Sequence, residues 1–117
     1  MTVALNFSYF VFGTREEHRE YFAAPRRSMA RDGIFVLDAY GGYFEFTNGS
    51  RLKRAFTYEW RLWTLPEIRE LLSEAGFSRS TVYWEDRDAD GVGTNTFQPK
   101  AHATQQPAWV AYVVAER

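Results

Sequence analysis

The chain has no cysteine among its 117 residues. Disulfides and thiolate-held metals are excluded, and the composition suits a reducing cytoplasm. Basic excess is also missing: 14 Lys and Arg against 15 Asp and Glu leave a net charge of −1, which argues against a nucleic-acid surface. No apolar run is long enough to cross a bilayer. The apolar opening, residues 3–12, lacks a basic start, carries Asn6 and Ser8, and is too short to span. Histidine is scarce. His18 falls in a charged helical stretch and His102 in a polar loop, so both read as surface residues rather than a catalytic or metal pair. The Asp-rich "DRDADG" at 86–91 starts like a calcium loop, but its twelfth position is Phe97 and no flanking helices are expected, so it reads as a solvated turn. Glycine is unpatterned: "GVG" at 91–93 does not open a helix and is no dinucleotide fingerprint. Ser8, Ser50 and Ser80 stand outside any nucleophile-elbow context. No metal site is expected.

What the chain has in quantity is aromatic surface, with ten Phe, seven Tyr and four Trp making 18% of its residues. Such side chains fill small cores, line pockets or build interfaces, and composition does not choose among these. The length, 117 residues, suits one domain spanning 1–117.

Residues 3–12, "VALNFSYFVF", combine β-branched and aromatic side chains without charge, as in a strand covered on both faces. Thr14 then caps a helix, with Glu17 at the capping-box position. In "REEHREYFAAPRRSMA" the buried contacts are Tyr21, Phe22 and Met29, and Pro25 kinks the pattern. Asp32-Gly33 ends the helix and "IFVLDAY" (34–40) is a second buried strand. Strand, helix and strand with short connections make a βαβ unit with parallel strands. "YFEFTNGSRLKRAFTYEWRLW" then forms an aromatic hairpin around Asn48-Gly49. A three-residue loop, Thr47-Asn48-Gly49, aligns Phe44 with Leu52 and is preferred to the two-residue turn that mixes apolar with charged partners. The clearest element is "TLPEIRELLSEAGF" (64–77): Thr64 caps, Glu67 closes the box, Leu65, Ile68, Leu71, Leu72 and Ala75 form one stripe, and Gly76 stops the helix. "STVYWE" (80–85) and "AWVAYVVAE" (108–116) are the last strands, with a long polar span between them.

Candidate chemistry collects at the carboxyl ends of the first two strands, where open α/β sheets gather ligands. Asn6, Phe7, Ser8 and Tyr9 lie near one end, and Asp38, Tyr40 and Gly41-Gly42 near the other. These residues alone leave two readings open: a pocket, or core aromatics with Asp38 capping a turn.

Taken together, "ALNFSYFVF", "GIFVLDAYGG", "WTLPEIRELLSEAGF", "STVYWED" and "AWVAYVVAER" resemble the C-terminal half of a class I S-adenosylmethionine-dependent methyltransferase. The resemblance implies an α/β fold: a partial Rossmann-like sheet of four strands, ordered first, second, last, third with the last antiparallel, plus two main helices and an added β-hairpin. The family holds its cofactor through a glycine-rich loop and a ribose-binding acid in its first βαβ units, and nothing of that kind precedes residue 3. The resemblance therefore implies an incomplete methyltransferase-like domain that is not catalytic alone. Asn6, Phe7 and Ser8 remain on the cofactor side, and Tyr9, Asp38, Tyr40, Tyr58, Trp60 and Trp63 on the substrate side. No residue is assigned a catalytic role. No cofactor is expected for the isolated chain, and S-adenosylmethionine only if a partner completes the site. The expected partner is a second copy, joined through strand 3–12, the aromatic hairpin or both; nucleic acid and membrane are not expected. Two other readings stand beside this one: the catalytic half of a split enzyme completed by a separate N-terminal chain, and a small α+β pocket-binding or interaction module.

Overall fold

A computed structural model describes residues 1–42, 61–103 and 108–117. Five strands and two helices make up the described fold: β1 (Thr2–Ala4), α1 (Arg15–Ser28), β2 (Ile34–Gly42), α2 (Leu65–Glu74), β3 (Arg79–Arg87), β4 (Gly93–Pro99) and β5 (Ala108–Glu116). A short 3₁₀ turn, Ser8–Val11, lies between β1 and α1. The sheet runs β1-β2-β5-β3-β4. β1 is parallel to β2, and β5 is antiparallel to both β2 and β3. The α/β class stands, but strand count and order differ from the four-strand expectation. Residues 93–99, expected within a polar loop, pair with the outer side of β3.

The opening strand is also much shorter than expected. Only Thr2–Ala4 are extended. Asn6 and Phe7 then take left-handed backbone angles (φ 64° and 51°) and the chain coils into the 3₁₀ turn. An apolar run without charge suits a buried coil as well as a strand, and here aromatic packing decides it: Tyr9 and Phe10 are buried. The long, bare edge expected at 3–12 is thereby reduced to three residues. Gly41-Gly42, expected in a loop, instead complete β2 opposite Trp109 and Ala108. The aromatic hairpin and its register, with Tyr58 and Trp60, lie outside the described residues.

Both helices start as their sequences predict. Thr14 accepts from the Glu17 N–H and Thr64 from the Glu67 N–H, and each Glu reaches back to its cap, closing two capping boxes. The Glu67 carboxyl is held below the ordinary range, chiefly by the Thr64 backbone N–H. α1 continues past Pro25, because its ring costs one backbone bond while the buried stripe continues to Met29. α2 ends at Gly76, whose φ of 98° suits glycine alone. The Arg26 guanidinium reaches across from α1 to the Gly76 carbonyl (2.6 Å), and Arg15 pairs with Glu74 (2.7 Å).

Alternation sorts the sheet into two faces. Ala4, Leu37, Val113 and Val82 stand in one row, with Phe35, Ala39, Ala111 and Ala115 beside them, all in the core. Phe22 of α1 packs on Phe35 (5.9 Å), Phe77 stacks on Phe35 (5.8 Å), and Ile68, Leu71 and Leu72 of α2 close the same cluster. The opposite face presents Val3, Val36, Val114 and Thr81 in one row and Asp38, Tyr112 and Tyr83 in the next. Among the described residues, no helix covers that face.

Gly41 shows how tightly the core face closes. A Cβ there would overlap the Trp109 ring, whereas nothing lies within 4 Å of a Cβ at Gly13. Gly41→Ala is expected to destabilise the fold by about 1–3 kcal/mol and Gly13→Ala to change little, as read by urea unfolding.

Candidate functional site

The carboxyl ends of β1 and β2 bring four of the expected residues together. Asp38 is only 8% exposed. Its Oδ2 accepts from the Asn6 N–H (2.8 Å) and its Oδ1 from the Phe7 N–H (3.0 Å). The carboxylate thus holds the two left-handed residues through which the chain leaves β1, a conformation that costs non-glycine residues free energy. Phe7 then packs on Tyr40 (5.6 Å) and on Phe10 (5.9 Å). Ser8 faces outward, with its hydroxyl 3.2 Å from the Tyr21 hydroxyl. Of the two readings open in the sequence, the geometry gives Asp38 the work of a turn clamp, with one bond to each of its oxygens.

Tyr9 and Trp63 sit deeper, closed off from solvent at 0% and 1% exposure. They belong to an aromatic box around His18. The imidazole stacks on Tyr9 (5.2 Å, 14°), lies 4.3 Å from Phe22 and meets Trp63 edge-on at 4.6 Å. Trp63 is fixed by its indole N–H donating to the Phe12 carbonyl (3.0 Å), and the Arg61 guanidinium lies over its outer face at 3.7 Å. The Arg61 backbone N–H donates to the Phe10 carbonyl (3.0 Å), which docks residues 61–63 against the 3₁₀ turn.

His18 is the main correction to the sequence reading, which placed it on the surface. It is wholly buried. A stripe at helical spacing, His18-Phe22-Pro25-Met29, was the signal that places it inward. Both of its ring nitrogens, and the Tyr9 hydroxyl, are buried without a hydrogen-bond partner among the described residues. Burial lowers the His18 pKa to about 4, aided by the Arg61 charge. Burial also raises that of Tyr9, with the Asp38 charge adding to it. Both groups are therefore neutral near pH 7, and neither reaches solvent to exchange a proton with a substrate.

The remaining candidates read as scaffold. Asp88 closes its turn by accepting from the N–H groups of Asp90 (3.0 Å) and Val92 (2.9 Å), as expected of a solvated loop. Among the described residues no group of His, Cys, Asp and Glu is arranged to hold a metal, and no helix is long and apolar enough to cross a membrane. Comparison with protein-family models, curated proteins and solved structures finds no match.

Two measurements test this arrangement. Asp38→Ala leaves the Asn6 and Phe7 N–H groups unpaired and is expected to cost about 2–4 kcal/mol, with Asp38→Asn milder because one acceptor oxygen remains; chemical denaturation reads both. His18 titrates lower in the folded chain than in the unfolded one. Its stabilising contribution is therefore full above pH 6.5 and falls away as pH drops toward 4. About 3 kcal/mol is lost over that window. In His18→Phe this part of the pH dependence should vanish, so the variant's urea midpoint falls less between pH 7 and pH 4 than that of the parent.

Proposed function

We propose that this chain is the substrate-side half of a methyltransferase-like fold and is not catalytic by itself. The observation that carries the reading is the position of β5, which runs antiparallel between β2 and β3 in a sheet that opens with parallel β1 and β2. A reversed terminal strand of this kind belongs to the methyltransferase resemblance. A second observation agrees with it: α1 and α2 contribute to one core on one face of the sheet, as a half-fold does when the helices of its other half lie opposite. Among the described residues, the carboxyl end of β1 and β2 offers a clamped turn and aromatic walls, but no loop to cradle a methionine carboxylate and no acid free to hold a ribose. Methyl transfer then depends on a cofactor-binding half, within the same polypeptide or on another chain.

Without that half, the helix-free face suits pairing with a second copy. Its strands cover a flat footprint of about 600 Å², the same order as the ~800 Å² that each partner of a stable complex buries. Met1, Val3 and Leu5, all exposed, extend this face at the β1 edge.

The 117-residue chain is expected to give no heat of binding with S-adenosylmethionine at micromolar concentration in titration calorimetry. Micromolar affinity would overturn the half-domain reading. Light scattering coupled to size exclusion is expected to give the mass of a dimer at micromolar protein, and a clean monomer would remove the self-pairing.

A further inference from the structure

A sizeable cleft lies away from the β1–β2 end, where α2 and the chain following β4 stand on either side of β3. Its volume is about 780 Å³, within the ~300–1,000 Å³ of small-molecule sites. Val82, Leu65 and Pro99 give it apolar lining and Trp84 an aromatic wall. A smaller cleft of about 230 Å³ adjoins it, with Trp84, Lys100 and His102 common to both. Trp84 is braced from behind by Trp109, 5.0 Å away, so its ring is a fixed surface.

The charges around this cleft are unequal in a useful way. Lys100 is spent on Asp86 (2.5 Å). Glu70, also on the rim, faces Arg15 (3.5 Å). Arg69 is different: its Nε donates to the Ser80 hydroxyl (3.2 Å) and a terminal nitrogen to the Ser80 carbonyl (3.4 Å). It has no carboxylate partner among the described residues. The two contacts orient the guanidinium and leave donors of its fork unused. Ser80 and Trp84 project on the same face of β3, four residues or ~13 Å apart. The site thus has an oriented cation at one end, an indole at the other and Val82 between them.

We infer that this cleft binds a planar aromatic carboxylate of about two fused rings, its carboxylate on Arg69 and its ring plane against Trp84. A guanidinium fork pairs with a carboxylate through two parallel hydrogen bonds. The ring fills the apolar stretch over Val82 and gains stacking on a braced indole. The proposal does not depend on the methyltransferase-like reading, because its residues come from α2, β3 and β4 and none from the β1–β2 end.

The test is calorimetric titration of the full chain with 2-naphthoate, and with 2-naphthalenemethanol as an uncharged mimic. Saturable one-to-one binding of the acid is expected, with the alcohol weaker by about tenfold or more. In Arg69→Gln the acid should fall to the level of the alcohol while the alcohol is unchanged. Arg69 is exposed, so this variant keeps its fold, which circular dichroism checks. In Trp84→Leu both probes should weaken together. Absence of saturable naphthoate binding below about 1 mM overturns the assignment, as does equal affinity of acid and alcohol or an Arg69→Gln variant that binds the acid as the parent does. None of these results bears on S-adenosylmethionine, so the two readings fail separately.

Discussion

Val113 stands between Leu37 and Val82 in one row of the sheet, because β5 hydrogen-bonds to β2 on one side and to β3 on the other. Everything else in the molecule leans on that double pairing. β3 and β4 reach the rest of the sheet only through β5. The small residues Ala111 and Ala115 on the same strand keep the core face low enough for α1 and α2 to settle on it. The contact between Gly41 and the Trp109 ring sits at the far end of the same ladder. A strand buried on both edges cannot slip by one residue without turning its whole apolar set to the other face, so β5 also sets the register of its neighbours.

From this frame follow two local arrangements that a chemist would first take for active-site features. Asp38 and the Tyr9–His18 pair are buried polar groups at the carboxyl end of the parallel strands, where functional residues commonly gather. The geometry turns them to structural ends. Asp38 spends its charge on two backbone N–H groups that the left-handed turn would otherwise leave bare. His18 is neutral and packed as one more ring among aromatics, at the cost of two nitrogens without a hydrogen-bond partner among the described residues. Burial lowers its pKa, since a buried imidazolium in an apolar box has no solvent to stabilise it.

The two faces of the sheet differ in consequence. One carries the core, the other a Val-rich row and a Tyr-rich row with no described helix above them. The proposed half-domain reading gives that face a physical reason, and large apolar patches on folded chains commonly mark interfaces, which is the ground for the proposed self-pairing. The cleft beside β3 differs in kind: a concave site with a braced ring and an oriented cation, lined in part by Ser80 and His102, residues to which the sequence assigns no chemistry.

Much of the fold was legible in the residues themselves. Two capping boxes, the Leu-rich stripe of α2 and the unbroken apolar run at 108–115 carry local signals strong enough to define elements without any context, because they rest on cap geometry, on the 3.6 period and on β-branched and aromatic content. The antiparallel last strand was legible too, through resemblance rather than periodicity. The coil at 8–11, the strand at 93–99 and the cleft that Arg69 shares with Trp84 were not. An uncharged aromatic run suits a strand or a packed turn equally, and a polar strand such as 93–99 has no apolar alternation because neither of its faces is buried. The burial of His18 was signalled only by its place in the His18-Phe22-Pro25-Met29 stripe, against the charges that flank it in sequence. Arg69 and Trp84 are 15 positions apart in sequence and line opposite ends of one cleft only because α2 packs over β3, which the tertiary fold decides.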